Sequence, residues 1–536
     1  MRIQVIRNES KPTFLVTGQR MRIALMVAVS AIVYANSLFN QFTFDDDVYI
    51  VRNPVVTNLS VKGLFEPAKA NTTHRFFRPM TFASYQLNWA LGGVRPFGYH
   101  LVNLLLHTAV TLLLFLVLKT LLEKISQGAT IAWVTALLFA VHPIHTEAVA
   151  SIVGRSELLA AGFLLAAWLL HLRDWPVGSL ACFALALLSK ESAIVFVPLA
   201  LAGDYARGKL KPLLRYVVIA GVAAVYVASL WKAQGFAEKT LFLNNPLATL
   251  PPDLRVLNAL RIAWRYLALL VYPATLSCDY SYNSIQLYAT WRHLAPALIA
   301  STVVFAIWIW AFWAKRMAWF LAGAIYFAGW AVTANVLFPT GTIMGERLAY
   351  LPSAGFCLLA VLLWSQLERQ RAKLAWALLF LAVAALSVRT VIRTRDWRDN
   401  FTLFSAGVRA VPDNAKLLDG LGGEYIMRGR RDLASPYLDA AFRIYPHVPE
   451  ANEQDFRIVY LAMDSTKAGE TNDALEFLNV EIRRSPQFSP AWSARGVVHY
   501  NMRDSLAARR DAQNALRLDP GNLQAEYLLN ALAAGN

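Results

Sequence analysis

Three consecutive carboxylates, Asp45, Asp46 and Asp47, follow the first apolar segment of the chain. Adjacent acids repel one another and prefer water, so an acid triplet at this position indicates a nearby cation, a proton or a reacting group. A carboxylate within hydrogen-bond reach of a substrate can serve as a general base. The alternative is a solvated charge cluster that only ends the first helix. The polar residues further along the chain favour chemistry.

These further ionisable residues also interrupt apolar segments. They lie in the stretches His142-Pro143-Ile144-His145-Thr146-Glu147, Gly154-Arg155-Ser156-Glu157, Lys190-Glu191, Asp279-Tyr280-Ser281 and Gly345-Glu346-Arg347. Ionisable groups at membrane depth are costly and usually functional. Taken singly, His142 suits a helix-end cap beside Pro143, and the Lys190 and Glu346 stretches suit interfacial anchors. Acids and bases that converge on one face predict a site instead.

Composition indicates the class of protein. The chain has 536 residues, of which 57% are hydrophobic and 16% charged, and its mean hydropathy is +0.40. Soluble proteins carry about 25% charged residues, so we expect a polytopic membrane protein with a soluble part. The net charge of +16 lies mainly in short loops, which favours the positive-inside pattern over nucleic-acid binding. Cys182, Cys278 and Cys357 lie too far apart for a metal or disulfide pattern and are interpreted as buried thiols.

The apolar segments predict an all-α membrane helix bundle of about eleven crossings. They span residues 22–39, 99–118, 129–141, 158–172, 177–188, 193–202, 213–231, 294–313, 319–337, 348–364 and 374–391. Several are shorter than the roughly 20 residues of a full crossing, so we expect them to extend into their polar flanks. The basic N-terminal residues precede no small-residue cleavage site, which predicts an uncleaved signal anchor.

Basic loops assign the sides of this bundle. The loops at 119–124, 207–211, 315–316 and 369–373 are rich in Lys and Arg and mark the cytoplasm. Segment 257–272 is interrupted by Arg261 and Arg265, and counting it as a crossing would move Lys315 to the wrong side. We therefore predict that it is re-entrant or surface-lying, with twelve crossings as the alternative. The N-terminus is then cytoplasmic, whereas loop 40–97 and the polar stretches face outward.

The last part of the chain, residues 398–536, predicts a tetratricopeptide-repeat solenoid after a membrane domain of residues 1–397. Pro412, Pro446, Pro486 and Pro520 recur at intervals of 34, 40 and 34 residues, close to the period of this repeat. Three repeats are predicted near 415–448, 455–488 and 489–522, followed by a terminal helix. Three repeats are enough for a stable stack, and such stacks usually bind polypeptide.

Several motifs in fixed order resemble those of one known family. They include Phe44-Asp45-Asp46, Arg78-Pro79-Met80-Thr81, Phe97-Gly98-Tyr99-His100-Leu101-Val102-Asn103, His142-Pro143-Ile144-His145-Thr146-Glu147, Leu188-Ser189-Lys190-Glu191 and Glu346-Arg347-Leu348-Ala349-Tyr350. With the C-terminal repeats, the chain resembles the transmembrane and tetratricopeptide-repeat-containing O-mannosyltransferases (TMTC), within the GT-C glycosyltransferase superfamily. It departs from that pattern in its third acid, Asp47, and in its short repeat tail.

The resemblance implies an enzyme that moves mannose from a polyprenyl-phosphate carrier to Ser or Thr hydroxyls of an acceptor protein. It assigns Asp45 or Asp46 as the base and Arg155, Lys190, Arg347 and Arg78 as partners of the donor phosphate. Supporting roles are predicted for His142, His145, Glu147, Glu191, Asp279 and Glu346. No cofactor is expected, because related monophosphate-donor enzymes resemble metal-free ones, although the acids could bind a divalent metal.

Two other functions remain open at this stage. The same chemistry could add sugar to a lipid-linked glycan or an envelope polymer, with the repeats recruiting a partner enzyme. Alternatively, the chain could be a non-enzymatic membrane scaffold that displays its repeats, which would leave the acid pair unexplained. The alanine- and leucine-rich segments favour a bacterial inner membrane with periplasmic repeats. A eukaryotic homologue would place the same face in the lumen of the endoplasmic reticulum.

Overall fold

The computed structural model describes residues 12–65, 77–234, 242–444, 471–520 and 522–534. The regular secondary structure of these residues is helical throughout, which confirms the all-α class. The chain divides into two compact units, Met1–Pro412 and Asp413–Asn536. The first unit contains the apolar helices and the second contains the shorter C-terminal helices.

The first unit is built from seventeen α-helices within the described residues. They are α1 (Pro12–Tyr34), α2 (Pro54–Thr57), α3 (Val61–Phe65), α4 (Pro79–Gly92), α5 (Pro96–Leu121), α6 (Gly128–Val141), α7 (Thr146–Ala150), α8 (Arg155–Leu172), α9 (Pro176–Ser189), α10 (Phe196–Arg207), α11 (Leu213–Gln234), α12 (Pro252–Val271), α13 (Trp291–Trp313), α14 (Met317–Ala331), α15 (Tyr350–Gln370), α16 (Ala372–Asp396) and α17 (Asn400–Ala410). Short 3₁₀ turns at Pro143–His145, Glu191–Val195 and Glu346–Ala349 precede α7, α10 and α15.

The chain is an integral membrane protein. Within the described ranges, seven helical stretches are long and apolar enough to cross a membrane: Gly18–Phe39, Pro96–Leu121, Arg155–Leu172, Leu213–Lys232, Trp291–Trp313, Glu346–Gln370 and Ala372–Asp396. The pair Gly128–Val141 and Pro143–Ala150, bent by 54°, makes an eighth if it is one span. Helices α9 and α14 are apolar but shorter. Every predicted apolar segment is therefore largely helical, while the number of eleven crossings stays a prediction.

Two of the basic loops, 119–124 and 207–211, come together at one end of the first unit, which we call the basic end. Arg207 Nη2 donates to Glu123 Oε1 at 2.9 Å, and Lys211 Nζ donates to Asp174 Oδ1 at 2.6 Å. These bonds join the loops after α5, α8 and α10. Helix α8 runs from Arg155 to this end, so Arg155 and the other polar stretches lie at the opposite end, which we call the site end.

Helix α12, the interrupted apolar segment, lies at the site end. Tyr266 Oη donates to the carbonyl of Gly345 (2.8 Å), and the carbonyl of Leu270 contacts His142 Nε2 (2.9 Å). The following helix, α13, reaches the basic end, where Phe312 stacks on Tyr205 with ring centroids 4.9 Å apart. This places the Lys315 loop beside the other basic loops, in agreement with the predicted arrangement.

The second unit is formed by helix pairs within the part of it that is described. Its helices are α18 (Ala415–Met427), α19 (Arg431–Ile444), α20 (Thr471–Arg484), α21 (Ser489–Asn501), α22 (Ser505–Leu518) and α23 (Leu523–Ala534). A Cβ added at Gly422 would approach Leu438 to 2.6 Å, so α18 and α19 pack closely through that glycine. The three predicted repeats stay a prediction, because residues 455–470 of the middle repeat lie outside the described residues.

The boundary between the units falls after Pro412 rather than after residue 397. Residues 398–412, which include α17, belong to the first unit for a physical reason. Asn400 Oδ1 accepts a hydrogen bond from the Phe44 backbone N–H at 2.7 Å, and Phe404 packs edge-on against the Phe44 ring. The helix therefore supports the acidic turn.

Candidate active site

The three acids begin at a backbone turn with a left-handed residue. Phe44 has a φ of 52°, which is uncommon for a non-glycine residue and persists only where surrounding contacts hold it. Its contacts with α17 provide that support. After this turn, Asp45, Asp46 and Asp47 enter three different environments.

Asp46 is fully buried and bound to backbone. Its Oδ2 accepts from the Thr43 N–H at 3.0 Å and its Oδ1 accepts from the Val153 N–H at 2.9 Å. Burial raises the pKa of Asp46 to about 7, although these backbone bonds favour the carboxylate. Asp46 thus joins the acidic turn to the turn that precedes α8.

Asp47 and Asp45 differ from this buried acid. Asp47 Oδ2 pairs with Arg52 Nε at 2.8 Å, and its side chain is 41% exposed. Asp45 is half-buried and interacts electrostatically with both Arg347 and Glu147. Of the three acids, Asp45 is therefore the one whose charge acts on the cation of the Glu346-Arg347 stretch.

Glu147 holds Arg347 at two points. Arg347 Nη1 donates to Glu147 Oε1 at 2.5 Å, and the Arg347 backbone N–H donates to Glu147 Oε2 at 2.9 Å. Glu147 is buried on α7, whereas the Arg347 side chain remains 30% exposed. The bent segment after α6 and the turn before α15 thus fix the position of this guanidinium, while part of it stays accessible.

Two further cations, Arg78 and Lys190, lie at the start of α4 and at the end of α9, and one hydrogen bond joins these two helix ends. Thr81 Oγ1 on α4 donates to the Ser189 carbonyl at the end of α9 (2.9 Å), which brings Arg78 beside Lys190. Lys190 Nζ donates to Glu157 Oε1 on the first turn of α8. Both members of this pair are buried.

Arg78 forms a two-point ion pair with Glu191. Its Nε and Nη2 donate to the two carboxylate oxygens at 3.1 and 2.7 Å. Burial opposes ionisation of Glu191, but Arg78 and Lys190 outweigh it and lower its pKa to about 2. The carboxylate is 38% exposed, so this pair lies at the accessible edge of the charged cluster.

Arg155 has a different environment from the other predicted phosphate partners. It is fully buried between the rings of Tyr85 and Tyr99. Its Nε donates to Asn103 Oδ1 (2.8 Å), its Nη1 to Asn88 Oδ1 (2.6 Å) and its Nη2 to the Tyr99 carbonyl (2.9 Å). Each nitrogen of the guanidinium therefore has a protein acceptor, which favours a role in holding α4, α5 and α8 together.

The two histidines also contact protein groups. His142 Nδ1 accepts from the Ile144 N–H at 3.2 Å, so it caps the turn at Pro143, the structural alternative that the sequence left open. His145 Nε2 lies 2.7 Å from Ser353 Oγ, and its ring packs on Phe139 and Tyr350. They shape the bent segment that carries Glu147.

Glu346 and Asp279 meet at the loop between α12 and α13. Glu346 is fully buried, and its Oε1 accepts from the Ser277 N–H (2.6 Å) and from Tyr280 Oη (2.8 Å). Asp279 accepts from the backbone and hydroxyl of Ser281. Glu346 thus positions the loop that carries Asp279.

The structure brings six of the twelve predicted site residues into one charged cluster, namely Asp45, Arg78, Glu147, Lys190, Glu191 and Arg347. Arg347 interacts with Asp45 and Glu157, Glu157 binds Lys190, and Lys190 interacts with Arg78. The sequence assigned no role to three further residues of the cluster or its surroundings. Glu157 belongs to one of the ionisable stretches, Arg393 Nη2 lies 3.9 Å from Glu346 Oε2, and the ring of Tyr226 packs against Phe77, next to Arg78. Glu157 is acidic in the first turn of a helix, which was a usable signal, whereas Tyr226 lies inside an apolar segment that shows none.

No group of three or more His, Cys, Asp or Glu side chains among the described residues is arranged to hold a metal ion. The sequence-based expectation of a metal-free reaction stays a prediction. The three thiols are free, with Cys278 and Cys357 buried and Cys182 half-buried.

The fold and the site define an all-α integral membrane protein with a cluster of alternating acids and bases at one end of its helix bundle. Comparison with known proteins narrows this class. The chain is 33% identical over 418 residues to the protein O-mannosyl-transferase F38B6.6 of Caenorhabditis elegans, covering 74% of this chain and 59% of that protein. It is 27% identical over 607 residues to mouse TMTC3, covering 95% and 65%, and 30% identical over 497 residues to human TMTC1, covering 79% and 55%.

The chain is thus a homologue of the TMTC protein O-mannosyl-transferases, as its motifs predicted. It spans between about half and two thirds of the length of these relatives. No protein-family model matches it. Among solved structures, ArnT from Cupriavidus metallidurans bound to undecaprenyl phosphate aligns with a TM-score of 0.39 and 15% identity, covering 79% of this chain and 75% of that one. A TM-score this low does not establish a shared fold.

Proposed function

We propose that the chain is a membrane glycosyltransferase of GT-C type that moves mannose from a polyprenyl-phosphate carrier to Ser or Thr hydroxyls of proteins. The observation that carries this proposal is the cluster of Arg347, Lys190 and Arg78, each paired with a carboxylate, together with the electrostatic interaction of Asp45 with Arg347. A carboxylate beside several cations suits a reaction in which a proton is removed and an anionic leaving group departs.

Asp45 is the proposed base. An acceptor hydroxyl is a weak nucleophile, so its proton would pass to a carboxylate oxygen as the hydroxyl oxygen attacks the anomeric carbon. Asp46 suits this role less, because both of its oxygens already accept backbone N–H groups and its side chain is fully buried. We assign Asp46 to positioning the turn.

Arg347, Lys190 and Arg78 are the proposed partners of the donor phosphate. The bond between the anomeric carbon and the phosphate oxygen breaks, and its electron pair leaves with the phosphate as a new glycosidic bond forms. Fixed cations stabilise that developing charge, and an arginine fork fits phosphate oxygens at two points. A single displacement inverts the anomeric configuration. Arg155 is excluded from this group because its guanidinium is buried and bound by protein acceptors.

The protein acceptor is proposed from the homology and from the C-terminal helices. The relatives are named protein O-mannosyl-transferases, and helical repeats commonly bind polypeptide. We place the site end and the second unit on the outer face of the membrane, which is the periplasmic face in a bacterium, because the basic end suits the cytoplasm.

The test is sugar transfer in detergent from radiolabelled polyprenyl-phosphate mannose to a membrane extract. Label in the protein fraction, released by alkaline β-elimination, is the expected result. Label that enters a lipid or polymer fraction instead would contradict the protein acceptor and support the alternative acceptor class. Absence of transfer to any fraction would contradict the enzyme and leave the scaffold interpretation.

A further inference from the structure

Tyr226 on α11 presents a buried hydroxyl to the charged cluster. Tyr226 is 7% exposed, and its Oη has no hydrogen-bond partner among the described residues. Buried tyrosine hydroxyls usually find a partner, and leaving one unmade costs about 1–3 kcal/mol. A buried hydroxyl without a partner among the described residues therefore indicates a bonding group other than these residues.

The surroundings of Tyr226 indicate what that group is. The tyrosine interacts electrostatically with both Arg78 and Glu191, and its ring packs against Phe77 with centroids 6.4 Å apart. Helix α11 is otherwise mostly exposed, since only 17% of its most apolar stretch is buried. The buried face of α11 is formed by Ile219, Ala223 and Tyr226. Tyr226 therefore lies on the side of α11 that faces Arg78, opposite the exposed apolar surface of this helix.

We propose that Tyr226 is a binding residue for the phosphate of the lipid carrier, with its Oη donating a hydrogen bond to a phosphate oxygen held by Arg78 and Lys190. This inference rests on the proposed function and adds a residue and a direction to it. The hydroxyl supplies a neutral donor near Arg78, which in turn lies beside Lys190, and such a donor suits an anionic oxygen. The lipid tail would then leave the site along α11, the helix whose outer surface is apolar and exposed.

Substitution of this tyrosine separates binding from packing. Tyr226→Phe removes only the hydroxyl and keeps the ring on Phe77. Because that hydroxyl has no partner among the described residues, the variant should have an unchanged or higher apparent Tm. If the hydroxyl binds phosphate, the same variant should bind the lipid phosphate roughly tenfold more weakly, the effect of losing a hydrogen bond to a charged group.

The experiment measures binding of decaprenyl monophosphate and of decaprenol to the full-length protein in detergent, together with apparent Tm. Tyr205→Phe is the matched control, because that tyrosine stacks on Phe312 at the basic end and should change neither ligand. Arg78→Ala is the second comparison and should weaken binding of the phosphate. The expected pattern is that Tyr226→Phe weakens binding of the phosphate and leaves binding of the alcohol unchanged.

Other binding results would contradict either the role of Tyr226 alone or the role of Tyr226 and the proposed function together. Wild-type affinity of Tyr226→Phe for the phosphate, with Arg78→Ala impaired, would overturn the role of Tyr226 and leave the proposed function standing. Equal weakening of phosphate and alcohol would show that Tyr226 supports the lipid tail only, which also overturns it. Equal affinity of the wild type for phosphate and alcohol, or binding of neither, would contradict the phosphate site and the proposed function together.

Discussion

At the scale of single residues, neighbouring acids of identical type have different environments. Asp46 is enclosed and accepts backbone N–H groups, Asp47 pairs with Arg52 at the surface, and Asp45 lies beside Arg347. The sequence predicts that an acid of this triplet matters but does not distinguish Asp45 from Asp46. The distinction depends on the left-handed Phe44 and on the Val153 N–H, a contact across more than a hundred residues.

Asp46→Asn tests the structural role of the buried acid. An amide offers one acceptor oxygen instead of two, so one backbone N–H faces a donor. At pH 5 we expect the variant to be less stable than wild type by about 1–3 kcal/mol. The measurement is thermal unfolding in detergent at several pH values.

The pH dependence of this difference follows from the pKa of Asp46. Its folded value of about 7 lies above its ordinary value of 3.8, so protonation favours the folded state. The wild type therefore loses stability as pH rises from about 4 to about 7, and the asparagine variant does not. The gap between them should narrow by pH 8. A gap that widens with pH would contradict the assignment, and Asp47→Asn should match wild type throughout.

At the scale of elements, α16 organises the loop that carries Asp279. Arg389 on α16 donates to the carbonyls of Pro273 and Ala274, both at 3.0 Å. One turn later, Arg393 donates to Asp396 Oδ2 at 3.0 Å and lies 3.9 Å from Glu346 Oε2. The apolar pattern of the sequence predicts α16. The arginines in the last turn of this helix give no indication that one of them, Arg393, is fully buried and balances the charge of Glu346.

Arg393→Met tests this arrangement. Methionine has similar length but leaves the buried Glu346 without its cation, and removing one partner of a buried ion pair typically costs about 3–5 kcal/mol. We expect a clear fall in apparent Tm, measured in detergent at neutral pH. The matched control is Arg395→Met, two residues away on an exposed position of the same helix. Equal melting of the two variants would contradict the role of Arg393.

The sequence predicted the positions of the helices well, but it did not predict the contacts between helices that assemble the site. Each apolar segment contains enough local information to indicate a helix, and the basic loops indicate one common end. The contact between α4 and α9 through Thr81 and Ser189, which brings Arg78 beside Lys190, joins residues more than a hundred positions apart. The pattern of apolar residues along the chain does not predict such a contact. The same holds for the hydrogen bond between Asn400 on α17 and the Phe44 N–H, which joins residues more than three hundred positions apart.

At the scale of the whole molecule, the two units have separate cores. We propose that the first unit binds the lipid phosphate and that the second unit binds the protein acceptor. Gly422→Val should therefore affect the two steps differently. Its Cβ would approach Leu438 at 2.6 Å, so the added side chain forces α18 and α19 apart.

We expect Gly422→Val to lower transfer to protein several-fold and to leave binding of decaprenyl monophosphate unchanged. The adjacent Gly423→Val is the matched control, since a Cβ at that position meets nothing within 4 Å. The test measures the rate of transfer to protein and the affinity for decaprenyl monophosphate on the same preparations of each variant. Unchanged transfer in a variant whose second unit is shown to be unfolded would contradict an acceptor role for that unit.

The central claim, that Asp45 is the base of a sugar transfer, is tested most directly by the rates of three single variants. Asp45→Asn, Asp46→Asn and Asp47→Asn are compared with wild type for transfer from polyprenyl-phosphate mannose, at equal amounts of folded protein. We predict a loss of at least about a hundredfold in rate for Asp45→Asn, a rate close to wild type for Asp47→Asn, and a smaller loss for Asp46→Asn, because Asp46 only positions the turn that carries Asp45. Full activity of Asp45→Asn would contradict the account.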